Sequence, residues 1–132
     1  LLFGIGGVIG FLISGSNVTV PEHYHGCIVG VTLAFMGMTY QLLPRLGFAA
    51  PSQRWAVRQC WVYASGQLVH IVGLAWSGGY GVQRKTAGAA QALDSIERII
   101  SMGMMGLGGL IAIIGGLMFL LVVFHAMLRA RR

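Results

Sequence analysis

The feature that most restricts the fold of this chain is its long apolar runs, in which charged side chains are rare. Between Arg98 and His125 no residue is charged, and this interval exceeds the roughly 20 residues that cross a bilayer as a helix. Charged residues make up 9% of the chain, against about 25% in an average soluble domain, so most of the surface cannot face water. The sequence therefore predicts an integral membrane protein whose first partner is the lipid bilayer.

The apolar runs predict an all-α, polytopic membrane helix bundle with about four transmembrane helices in a single region, residues 1–132. Helices are expected because open strands cannot satisfy their backbone hydrogen bonds in lipid. The predicted helices are a first one ending near Ser14, followed by 22–43, 54–78 and 95–128. Pro21 suits the first turn of the second helix, and Pro44 is expected to end it. The two cysteines, Cys27 and Cys60, are expected near opposite membrane faces and therefore unpaired.

Basic residues predict how the helices are oriented. If the helices alternate in direction, the 44–53 loop and the carboxyl terminus lie on one face, which then carries Arg45, Arg54, Arg58, Arg129, Arg131 and Arg132. The positive-inside rule places this face, and with it the carboxyl terminus, in the cytoplasm, as in a multi-pass protein of a bacterial inner membrane. The net charge of +6 is thereby accounted for, and no nucleic-acid partner is expected.

Two histidines in the stretch VPEHYHG, His23 and His25, stand at the head of the second helix. On a helix, residues two apart are separated by roughly 200° of rotation, so the two rings face different sides and cannot easily share one ion. Such a pair can ligate two separate centres, and neutral imidazole is a common axial ligand of heme iron. The alternative is that both are polar residues at the membrane interface, bonded to backbone or water.

Two adjacent cations, Arg84 and Lys85, stand in the polar loop GYGVQRKTAG, on the same predicted face as the histidines. A guanidinium and an ammonium can hold the carboxylates of heme propionates. They could equally contact lipid head groups. Together with the histidines, they favour heme.

The run NVTVPEHYHGCIVGVTLAFMGMTYQLLPRLGF and the later VGLAWSGGYGVQRK resemble the catalytic subunit I of heme–copper oxygen reductases, the cytochrome c oxidase family. The resemblance covers essentially the whole chain. It implies a fragment comprising the last four of twelve helices, and the lack of an initial Met also led us to expect a piece of a longer protein. The match is closest to the branch with a low-spin heme of b type.

The resemblance implies a role for each candidate site residue. His23 would be the proximal ligand of the high-spin heme iron, His25 an axial ligand of the low-spin heme iron, and Arg84 and Lys85 propionate-binding residues. The family usually has two arginines, so Lys85 departs from its pattern. The implied enzyme is a terminal oxidase that reduces oxygen to water with electrons from cytochrome c or quinol, coupled to proton translocation in aerobic respiration.

This chain could act only as part of a larger subunit, together with the remaining helices of subunit I and other oxidase subunits. Copper is expected in the complete enzyme, but the family's copper ligands, its cross-linked tyrosine and the second low-spin ligand precede the matched region. Two alternatives stay open: a nitric oxide reductase of the same superfamily and a non-catalytic heme-binding membrane protein.

Elsewhere, we expect His70 to be bonded across helices rather than to ligate a metal, and Tyr40 only to pack. Glu22 is expected to be a helix cap rather than part of a proton network.

Overall fold

A computed structural model describes residues 1–11, 13, 19–79 and 95–129 of the chain. Within these residues, every regular element is an α-helix: α1 Leu2–Gly10, α2 Thr19–Arg45, α3 Gln53–Gly79 and α4 Ile96–Leu128. The all-α prediction is confirmed for this part of the chain. Helix α4 begins where the sequence predicted, because the hydroxyl of Ser95 accepts a hydrogen bond from the backbone N–H of Arg98 at 3.3 Å and so caps the helix.

The predicted end of the second helix was wrong, because α2 continues through Pro44 to Arg45. A proline this close to a helix end removes only its own backbone donor. The helix ends instead in a Schellman motif, in which Phe48 N–H donates to Leu43 O at 3.1 Å and Gly47 N–H donates to Pro44 O at 3.3 Å. Gly47 has a φ of 90°, a conformation that favours glycine, and it is therefore the residue that stops α2.

Consecutive helices run antiparallel, as the prediction of orientation assumed. Residues early in α2 lie near the end of α3, since the His25 and His70 rings are in contact, whereas Tyr40 reaches Gln59 near the start of α3. The α2–α3 loop and the end of α4 lie together, because Ala49 N–H donates to Ala126 O at 3.3 Å. One end of the bundle thus holds this loop and the end of α4, and the other holds the histidine pair. Which end faces the cytoplasm stays a prediction.

Among the described residues, two helices, rather than about four, meet the length and apolarity of a membrane span. They are His23–Arg45 within α2 and Ile96–Leu128, as is consistent with a membrane protein. Helix α1 has 9 residues, too few to cross a bilayer. Helix α3 is long enough, but Arg54, Arg58 and Gln59 lower its apolarity near its start. That α1 and α3 cross the membrane therefore stays a prediction.

The core contains buried polar residues beside apolar ones such as Ile71 and Leu74, and many large apolar side chains face outward. Gln59, Ser77 and Ser101 are fully buried, while Ile113 is 62% exposed and Leu121 is 68% exposed. A helix of a water-soluble bundle instead turns charged and polar residues outward. Apolar side chains on the outside of the bundle can contact lipid tails or further membrane helices, because both offer an apolar surface.

Glycines set the close approach of α3 and α4. An added Cβ on Gly66 would lie 2.9 Å from Gly108 O, and one on Gly115 would lie 2.6 Å from the Cα of Tyr63. Ordinary contacts of this kind are 3.4–4 Å, so the two backbones meet only because these positions lack side chains. Helices α1 and α2 approach in the same way at Gly6 and Gly26.

Candidate functional site

His23 lies on α2 with its ring against α1. Its Nδ1 is 2.8 Å from the carbonyl oxygen of Gly6. A Cβ on Gly10 would fall 2.8 Å from the same nitrogen, so the ring occupies space that only a glycine leaves open. Gly6 and Gly10 therefore form a shallow cradle on α1 for this imidazole.

The hydrogen bond of His23 determines which ring nitrogen is available to a metal. A carbonyl oxygen can only accept, so Nδ1 must be the donor and carry the proton. In the neutral ring, the lone pair is then on Nε2. This is the arrangement of metal-ligating histidines, whose other nitrogen commonly donates to a backbone carbonyl or carboxylate. The local geometry at His23 thus fits an axial imidazole ligand.

His25 faces α3 rather than α1. Its ring centroid lies 4.7 Å from that of His70, with the planes inclined by 44°. Helix α2 is continuous through both positions, so the rings of His23 and His25 contact different neighbouring helices, as the spacing predicted. The two imidazoles do not converge on a single ion.

His70 bonds across helices, as the sequence analysis favoured for this residue. Its Nδ1 lies 2.8 Å from the carbonyl oxygen of Met105 on α4. The sequence did not reveal that the ring of His70 also contacts the ring of His25. Two histidines separated by 45 positions in the chain can be paired only once the helices are placed.

A buried polar network joins three helices near the opposite end of the bundle. The hydroxyl of Tyr40 donates to Gln59 Oε1 at 2.9 Å, and Gln59 Nε2 donates to Gly115 O at 3.1 Å. The expectation that Tyr40 only packs was therefore wrong. Gln59 itself could have drawn attention, because an amide in an apolar helix must find partners inside the bundle.

Other predicted features are tested only in part. Arg84 and Lys85 lie outside the described residues, and the surroundings of the Glu22 side chain are not described. Cys27 and Cys60 are unpaired, as predicted. Among the described residues, no three His, Cys, Asp or Glu side chains come together as a metal-binding group.

The chain is similar to parts of two longer curated proteins. The chain is 41% identical over 132 residues to an uncharacterized protein of Rickettsia prowazekii, covering 92% of this chain and 25% of that protein. It is 30% identical over 118 residues to cytochrome c oxidase subunit 1 of Thermus thermophilus, covering 86% of this chain and 21% of that subunit. The chain thus spans a quarter or less of the length of these curated relatives.

No protein-family model matches the chain, and no solved structure matches it. The similarity to an oxidase subunit extends over most of the chain.

Proposed function

We propose that this chain is the carboxyl-terminal part of the catalytic subunit of a heme–copper terminal oxidase. In this proposal, residues 1–132 form one transmembrane region that supplies the last four of twelve helices in a bacterial inner membrane, with the carboxyl terminus in the cytoplasm. The complete enzyme would reduce oxygen to water with electrons from cytochrome c or quinol and would translocate protons. The similarity to cytochrome c oxidase subunit 1 supports this assignment.

The observation that carries the proposal is the division of the two histidines between different sides of α2. His23 packs on α1 and His25 packs on α3, so each can serve its own center. His23 is assigned to the high-spin heme and His25 to the low-spin heme. Heme supplies the redox chemistry and the oxygen-binding iron when it is bound, and the protein holds and orients it.

The protein's own contribution is the placement of these ligands. The bond from His23 Nδ1–H to Gly6 O fixes the tautomer and makes Nε2 the nitrogen that can bind iron. Arg84 and Lys85 are assigned to the propionates. Copper ligands and the second ligand of the low-spin heme would come from residues outside this chain.

The test is to replace each histidine in the full-length protein, purified from membranes with its subunits. His23→Ala should abolish the spectral change that carbon monoxide produces at the high-spin heme and leave the low-spin heme bands. His25→Ala should remove the low-spin bands in reduced-minus-oxidised spectra. His125→Ala, a control in the last turn of α4, should retain both hemes. If the His23 and His25 variants both retained the wild-type spectra of both hemes, the assignment would be refuted.

The same preparation separates the alternatives. A nitric oxide reductase would contain non-heme iron in place of copper, which metal analysis measures directly. A non-catalytic heme-binding protein would give a low-spin spectrum without a carbon monoxide-reactive heme. An oxidase gives copper, both heme signals and oxygen uptake with a reduced donor.

The assignment of Arg84 and Lys85 to the propionates is tested by keeping or removing their positive charge. Lys85→Arg should preserve both hemes, because a cation remains at the position, whereas Arg84→Ala combined with Lys85→Ala should lower heme occupancy or change heme spectra. Unchanged heme content and spectra in the double variant would favour lipid contact for this pair.

A further inference from the structure

We propose that His70 is a positioning residue for His25, and that its ring sets the rotational orientation of the His25 imidazole. The inference rests on the proposed function, because it assigns His25 to the low-spin heme. It adds a residue on α3 that acts through His25 and is not itself an iron ligand.

His70 is held in place by two contacts with α4. Its Nδ1 lies 2.8 Å from Met105 O, which fixes the ring through a hydrogen bond to α4. Its backbone lies directly against Gly108, where an added Cβ would come within 2.7 Å of the His70 Cα. A ring tied to one helix by its side chain and packed on the same helix by its backbone has little rotational freedom.

The rings of His70 and His25 are in contact. Their centroids are 4.7 Å apart and the planes are inclined by 44°. This separation falls within the range of favourable aromatic pairs. Because His70 is fixed, the pair limits the angle that the His25 ring can adopt about its own bond to the helix.

The orientation of the His25 ring would affect the low-spin heme that it ligates. Contacts around a ligating histidine orient the ring and tune the metal, most often through a hydrogen bond from the second nitrogen. Here a neighbouring aromatic ring adds a steric constraint of the same kind. The orientation of an axial imidazole is reported by the electron paramagnetic resonance of an oxidised low-spin heme, so the constraint has a readout independent of turnover.

Two substitutions separate the ring contact from the hydrogen bond. His70→Asn keeps a side-chain amide that can donate to Met105 O but removes the ring. His70→Phe keeps a ring against His25 but cannot make that bond. The variants are made in the full-length protein within its complex, with His125→Ala as the control at the opposite end of the bundle.

We expect His70→Asn to retain both hemes and to shift the g values and the midpoint potential of the low-spin heme. His70→Phe should give a smaller shift, and His125→Ala none. The carbon monoxide spectrum of the high-spin heme should be unchanged in all three, because His23 lies on the α1 side of α2.

Wild-type g values and midpoint potential in His70→Asn would overturn the proposal. Loss of the low-spin heme from both His70 variants, with the high-spin heme retained, would also overturn it, since His70 would then be a ligand. If His70→Asn does not fold, His70→Ala replaces it as the variant without a ring, and wild-type g values in that variant would overturn the proposal. A wild-type protein without any low-spin heme is a different result, because it refutes the proposed function itself.

Discussion

Adding one methyl group at Gly108 should push α3 and α4 apart, whereas the same change at Gly106, two residues earlier on α4, should not. A Cβ on Gly108 would lie 2.7 Å from Gly66 O and from the Cα of His70, both on α3. A Cβ on Gly106 would meet nothing within 4 Å. The pair therefore isolates helix packing from every other consequence of replacing glycine by alanine.

The size of the effect follows from these distances. The Cβ of a Gly108→Ala variant would be about 0.7 Å short of the 3.4 Å lower limit for ordinary contact at these two atoms, and it would lie closer still to the backbone N of His70. All three neighbours are backbone atoms that cannot rotate away. Overpacking of this kind costs about 1–3 kcal/mol. Alanine also favours the helix over glycine by up to about 1 kcal/mol, but this gain is common to both variants. The difference in unfolding free energy between them should therefore be about 1–3 kcal/mol.

The assay is the free energy of unfolding of the full-length protein in mixed micelles, from a denaturing-detergent titration followed by circular dichroism. Gly106→Ala should equal or exceed wild type, and Gly108→Ala should be less stable than Gly106→Ala. Because Gly108 abuts the backbone of His70, the low-spin heme spectrum should also change in Gly108→Ala only. Equal stability of the two variants would refute the conclusion that glycine permits the α3–α4 approach.

Three further predictions concern buried polar groups and one turn, and each is checked by the same unfolding titration. Gln59→Leu should lower stability by about 1–3 kcal/mol, because it leaves the buried hydroxyl of Tyr40 without its acceptor, and adding Tyr40→Phe should restore part of the loss. Ser101→Ala should lower stability more than Ser77→Ala. The Ser101 hydroxyl takes part in two hydrogen bonds, accepting from Ser77 at 2.9 Å and donating to a backbone carbonyl at 3.1 Å, whereas Ser77→Ala removes only the first. The reverse order of stabilities would contradict these bonds. Gly47→Ala should cost about 1 kcal/mol through its φ of 90° alone, since nothing lies within 4 Å of the added Cβ, and an unchanged stability would argue against this turn.

The sequence by itself determined the features that depend on neighbours along the chain. Apolar runs longer than a bilayer, with few charges, predicted helices, and the predicted start of the fourth helix at residue 95 lies one residue before the observed start of α4. The separation of His23 from His25 also followed, because the rotation between residues two apart is a local property of any α-helix. Even the position of the α3 ends was predicted to within a residue.

The end of α2 shows that two local signals competed and that the glycine, rather than the proline, decided the boundary. Proline was expected to stop the helix at Pro44, but the helix ends at Arg45, where Gly47 turns the chain and backbone bonds form among residues 43–48. A proline near a helix end costs little, so the residue that can take a positive φ decided the boundary.

Only the tertiary structure decided which residues meet across helices. The ring pair of His25 and His70 and the bond from Tyr40 to Gln59 depend on the rotation and register of α2 against α3. The selection of Gly108 rather than Gly106 as a contact depends in the same way on how α4 is turned toward α3. These quantities are set by packing between distant segments, and periodicity within one helix contains no information about the phase of its neighbour.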